Sequence, residues 1–79
     1  MAVIRLFAQA REAAGVATAE IAASTVSDVL EEAVTRWGEG FAAVLAGSKV
    51  WVNGEEVPPE TAVGDKDEVA VLPPVSGGS

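Results

Sequence analysis

One stretch of this chain sustains a long helical repeat. Val26, Val29, Leu30, Ala33, Val34 and Trp37 recur at helical spacing and form a single apolar stripe, with Glu31 and Glu32 off it. Thr25 stands at the N-cap position with Asp28 three residues on as a capping-box acid, and Gly38 and Gly40 read as stop signals. Such a stripe needs a surface to bury it, and the other apolar runs have the length of strands. Ala2 to Ala8 reads as one strand and Thr18 to Ala23 as a weaker second, with Gln9 to Gly15 as the turn between them. Phe41 to Ala46 reads as a short helical turn. Val50 to Val52 reads as a third strand, Asn53-Gly54 as a tight turn, and Glu55 to Val57 as a short return that Pro58-Pro59 breaks. Gly64 to Asp67 turns the chain into a last strand, Glu68 to Leu72, which Pro73-Pro74 ends. The expected fold is α+β: a mixed sheet with one main helix packed on one face, and the first and last strands side by side at its centre.

With 79 residues, a single domain over 1–74 followed by a flexible tail at 75–79 is expected. A domain of this size buries about 60–65% of the surface its unfolded chain would expose, which leaves little room for an internal cavity. Hydrophobic residues make up 49% of the chain, enough for a packed core. There is no cysteine and no histidine. That removes disulfides, thiol nucleophiles, imidazole bases and the usual zinc ligands together. No leader-like segment opens the chain, and no apolar run has the length to cross a bilayer, so a cytoplasmic protein without a membrane partner is expected. The net charge of −7 speaks against nucleic acid as a partner, because phosphate backbones call for Lys and Arg. It suits basic protein partners, and it also serves plain solubility.

Alternation assigns faces to the strands. Ile4, Leu6 and Ala8 share one face of the first strand, and Val3, Arg5 and Phe7 the other, which Arg5 marks as solvent-side. The same rule turns Val50, Val52, Val69 and Val71 inward and Trp51, Ala70 and Leu72 outward. Phe7, Trp51 and Leu72 then form an apolar patch on the open face, a candidate docking surface. Other constellations read as ordinary structure. Asp65, Asp67 and Glu68 surround Lys66 and fall short of the ligand count of a cation site, so a solvated turn is expected and no metal. Gly38 and Gly40 lack the Lys-Ser/Thr that would follow in a phosphate loop, and Trp37 reads as core.

The two ends of the chain are the most specific part. Phe7-Ala8-Gln9-Ala10-Arg11-Glu12 closes the first strand, and Gly64-Asp65-Lys66-Asp67-Glu68-Val69-Ala70-Val71-Leu72-Pro73-Pro74-Val75-Ser76-Gly77-Gly78 ends the domain. Together they resemble the MoaD/ThiS family of ubiquitin-like sulfur carriers, and within it the small subunit of molybdopterin synthase. The element order fits the β-grasp, or ubiquitin-like, roll of that family. The resemblance implies a carrier rather than a catalyst. An E1-like adenylyltransferase would use ATP to activate the Gly78 carboxylate, and a sulfur donor would convert the acyl-adenylate to a thiocarboxylate. The charged tail would enter the large subunit of molybdopterin synthase and pass sulfur to a pterin precursor. No cofactor would be bound by the chain itself.

The residues suit that chemistry. Gly77 and Gly78 lack Cβ atoms and make the thinnest chain for a narrow channel, while Pro73 and Pro74 favour extended backbone that projects the tail. Candidate partner-binding residues are Phe7, Arg11, Trp51, Leu72, Pro73, Pro74 and Val75, with Gly77 and Gly78 as the sulfur-carrying end. Ser79 departs from the pattern, because it places Gly78 in a peptide bond and masks its carboxylate. A peptidase that removes Ser79 is then a further expected partner, unless Ser79 is a remnant foreign to the protein. Carriers for thiamine, cysteine or tungsten pathways remain alternatives, as does a modifier joined through Gly78 to target proteins. A plain interaction module with an inert tail is the third class.

Overall fold

The computed structural model describes residues 1–74, so the expected tail at 75–79, with Val75, Gly77, Gly78 and Ser79, lies outside the described residues. The chain runs through β1 (Ala2–Leu6), α1 (Ala8–Ala14), β2 (Thr18–Ile21), α2 (Val26–Trp37), α3 (Glu39–Ala46), β3 (Lys49–Val52), β4 (Glu55–Glu56) and β5 (Glu68–Leu72). The five strands form one mixed sheet in the order β2-β1-β5-β3-β4. The first and last strands are parallel neighbours, with Ile4 opposite Val69 and Leu6 opposite Val71. The other pairings, β1 with β2, β3 with β5 and β3 with β4, are antiparallel.

The main helix forms where its stripe predicts. Val26, Val29 and Ala33 are buried, and Leu30, Val34 and Trp37 pack against the core. Its first turn is fully supplied with acceptors. The Val26 and Ser27 N–H groups donate to the carbonyls of Thr61 and Pro59, at 3.0 and 2.8 Å. The Asp28 N–H donates to Thr25 Oγ1 at 3.1 Å. The loop after β4 thereby satisfies N–H groups that the helix leaves open. Asn53 and Gly54 both take positive φ, 52° and 89°, the tight turn that matches the twist of paired strands.

Four expectations are corrected. Gln9 to Gly15 is not a turn, because α1 occupies Ala8–Ala14. Its alanines favour helix, and Gly15 closes it by donating its N–H to the Arg11 carbonyl at 2.8 Å. Bulky residues at helical spacing are missing there; Ala10 is its one buried residue. Ala8 is likewise not an inward strand residue. It is exposed, with φ at 51°, and turns the chain out of β1 into the helix. Gly40 does not stop a helix but lies within α3, a full eight-residue helix rather than a single turn. Gly38 alone makes the break. Its φ of 84° suits glycine. Its N–H caps α2 on the Val34 carbonyl at 2.7 Å, and its own carbonyl receives the Ala42 N–H at 3.1 Å. The main helix α2 thus shares the covered face of the sheet with the shorter α1 and α3.

This break delivers Phe41 into the centre of the core. Its side chain is fully buried, with the Trp37 ring edge-on at 5.1 Å between centroids. Phe41→Ala should cost about 3–5 kcal/mol, as expected for an emptied core aromatic site. Phe7→Ala, on the exposed side, should cost under about 1 kcal/mol. Urea denaturation of both variants checks this, and equal losses would contradict the placement of Phe41.

Candidate functional site

With the helices on one face, the other face of the sheet lies open. Strand register lays a row across it of Thr18, Arg5, Ala70, Trp51 and Glu56. Phe7 follows Leu6 in extended backbone and so falls beside Leu72, whose other neighbour is Lys49. Phe7, Leu72 and Trp51 therefore share this face, as alternation predicts. Their exposure differs: Phe7 is 39% exposed, whereas Trp51 and Leu72 are half-buried. Arg5 and Glu68 join across the face at 3.1 Å. The Trp51 indole Nε1 is shielded from solvent without an acceptor among the described residues. A shielded donor left unpaired costs about 1–3 kcal/mol.

Strand β5 ends at Leu72, at the same end of the sheet as Phe7. Pro73 and Pro74 supply no N–H to continue the ladder past β5. Pro73 is half-buried and Pro74 exposed. They form one wall of a cleft of about 270 Å³ whose other walls include Gln9, Ala43, Val44 and Gly47. The α3 residues carry no local signal of this placement, because only the folding of α3 against α1 brings them beside Pro73 and Pro74. Gln9 does lie inside the first-strand motif. Arg11 is exposed on α1, in the helix layer, so it does not join Phe7, Trp51 and Leu72 on the open face.

The acids near the start of β5 are each tied to a separate partner. Asp65 accepts the Met1 α-ammonium group, and Asp67 accepts the Asn53 side-chain amide at 2.9 Å and the Gly64 N–H at 2.8 Å. Asn53 Oδ1 in turn accepts the Glu68 N–H at 3.0 Å, which ties the β3–β4 turn to β5. Both aspartates are held below the ordinary carboxylate range, Asp65 by the α-ammonium hydrogen bond and charge, Asp67 by the Asn53 and Gly64 donors. Among the described residues, no three acids, histidines or cysteines are grouped to hold a metal ion. No helix among them is long and apolar enough to cross a membrane.

A five-stranded mixed roll with helices on one face and its first and last strands paired at the centre has the architecture of the ubiquitin-like β-grasp proteins. The chain belongs to the ThiS family, which it matches over residues 4–78, among small ubiquitin-like sulfur carriers and modifiers. It is similar to small archaeal modifier protein 1 of Haloferax volcanii, with 30% identity, 98% of each chain covered and a TM-score of 0.81. It is similar at 32% identity to a Pyrococcus furiosus protein provisionally assigned as molybdopterin converting factor subunit 1. That match covers 94% of this chain and 97% of the other, with a TM-score of 0.83. The fold is shared, at 24% identity and a TM-score of 0.73, with a chain from the complex of subunits 1 and 2 of the Helicobacter pylori molybdopterin-converting factor, over 98% of this chain and 97% of that one.

The hydrogen bonds at Asp67 have a measurable consequence. Its folded pKa lies below the unfolded value, so these bonds stabilise the fold above the ordinary aspartate range and are lost as pH falls through the folded pKa. Asn53→Ala should raise the Asp67 pKa towards that range. Carboxyl NMR titration of the two proteins reads the shift; an unchanged Asp67 would rule out Asn53 as its chief cause.

Proposed function

We propose that this chain is a sulfur carrier for molybdopterin synthesis, working in the cytoplasm as the small, non-catalytic subunit of molybdopterin synthase. What carries the reading is a ubiquitin-like roll whose family match runs through Gly77 and Gly78. The Pyrococcus relative supports the pterin pathway in particular. The Gly78 carboxylate, freed of Ser79 by a peptidase where Ser79 belongs to the native chain, attacks the α-phosphate of ATP on an E1-like enzyme and releases pyrophosphate. A sulfur donor then displaces AMP and leaves a thiocarboxylate. With no cysteine or histidine in the chain, the catalytic groups come from partner enzymes. The open face supplies the docking surface through Phe7, Trp51 and Leu72. Pro73, Pro74 and Val75 direct the tail, and Arg11 adds a contact from the helix layer. In the Helicobacter pylori structure the corresponding subunit 1 is in complex with subunit 2; a large subunit of that kind receives the loaded tail here.

The similarity to the Haloferax modifier protein favours a second reading, in which a target lysine amine takes the place of the sulfur donor. Intact mass after incubation with ATP, an E1-like enzyme and a sulfur source separates the two. A carrier exchanges oxygen for sulfur, whereas a modifier forms conjugates.

Ser79 bears directly on activation. With Ser79 present, the free carboxylate lies about 3.5 Å beyond its place, and errors near 1 Å already cost about a hundredfold in rate. A chain ending at Gly78 should support pyrophosphate exchange by its E1-like enzyme, and the 79-residue chain should not until it is trimmed. In the shorter chain, Phe7→Ala should raise the KM for the carrier about fivefold or more, with the fold intact. Equal exchange by both lengths, at unchanged mass, would overturn this account of the terminus.

A further inference from the structure

The helix layer carries a groove that the carrier chemistry leaves unused. It has a volume of about 450 Å³ and runs along one flank of α2 to α3. Leu30, Val34 and Leu45 line it as half-buried apolar side chains, with Ser27, Glu31 and Thr35 beside them. The lining positions on α2 follow helical spacing from Ser27 to Thr35 and span about 12 Å at 1.5 Å per residue. That length matches two turns of a docking helix, with anchors at i, i+3 or i+4, and i+7.

The charge at this groove narrows the occupant. Glu31 accepts the Ser27 hydroxyl at 3.4 Å, and its carboxylate forms no ion pair with a cation among the described residues. Arg36, on the same helix, is engaged with Glu32 at 3.2 Å. A second copy of this chain would bring its own net charge of −7 to the groove and meet repulsion. A partner with cations flanking an apolar stripe meets both features at once.

We propose that this groove docks a basic amphipathic helix of another protein, with apolar side chains on Leu30, Val34 and Leu45 and a lysine or arginine against Glu31. The groove lies on the helix layer, so the open sheet face stays free while it is filled. The proposal does not rest on the sulfur-carrier reading.

NMR titration of the isotope-labelled full-length chain tests it. The probe is a synthetic helical peptide with leucines at i, i+3, i+4 and i+7 and flanking lysines; a control peptide carries glutamates in place of the lysines. The lysine peptide should shift the signals of Ser27, Leu30, Glu31, Val34, Thr35 and Leu45 in a saturable way, and leave Val3, Trp51 and Ala70 unmoved. Glu31→Gln should weaken that binding about threefold and Glu31→Lys about tenfold. Glu31 is exposed, so both variants should keep the native spectrum elsewhere. Equal shifts with both peptides, no saturable shift, shifts centred on the sheet face, or indifference to Glu31→Lys would each overturn the proposal. So would concentration-dependent shifts at the groove without peptide, which would seat a second copy there.

Discussion

The parallel pairing of β1 with β5 joins the two ends of the domain, setting Ile4 against Val69 and Leu6 against Val71 at the middle of the sheet. All four side chains are buried, and they form the floor on which the helices rest. Parallel neighbours cannot be joined by a hairpin, so the rest of the domain serves as the crossover between them. The same pairing decides which face is covered and which is open, because a slip of one residue would exchange the faces. It also brings Phe7, at the end of β1, beside Leu72, at the end of β5 and two residues short of the described C-terminal boundary. The open face and the placement of Pro73 and Pro74 at its edge are therefore consequences of a single long-range register.

The helix layer depends on two backbone decisions. Gly38 ends α2 and begins α3 with one positive φ, and the change of direction lets Phe41 enter the core from the side opposite the sheet. Ala8 takes a left-handed conformation at the end of β1, a state that costs a non-glycine residue about 1 kcal/mol. That cost is offset by the helix it starts, which buries Ala10 and packs against α3. These two choices bring Gln9, Val44 and Pro73 around one cleft, and set α3 beside α2 to make the groove at Leu45.

In the proposed function the domain acts by geometry rather than by reactive side chains. A chain without cysteine or histidine brings neither thiol nor imidazole to a reaction. It can present a carboxylate on a thin tail and a surface by which another enzyme holds it. The open face combines apolar Phe7, Leu72 and Trp51 with the charged pair Arg5 and Glu68. The indole donor of Trp51, which has no acceptor among the described residues, belongs to that face. On the helix side, the apolar groove with Glu31 is a separate surface.

The local parts of this protein were written in its sequence. The stripe from Val26 to Trp37, the Thr25 cap, the Asn53-Gly54 turn and the inward valines at 52, 69 and 71 follow from periodicity and short-range hydrogen bonding, which neighbours along the chain are enough to specify. The element order, with the motifs at the two ends, also pointed to the roll. What the tertiary structure alone decided rests on contacts between distant segments. Gln9 to Ala14 has helix propensity but no bulky stripe, so its state depends on docking against α3. Gly40 has the identity of a stop signal, but burial of Phe41 keeps it inside a helix. The cleft beside Pro73 has no local signature, because Gln9, Val44 and Pro73 lie far apart in sequence. The α2 side of the groove beside Glu31 is periodic in the sequence, but the packing of α3 against α2, which brings in Leu45, was decided only by the tertiary structure.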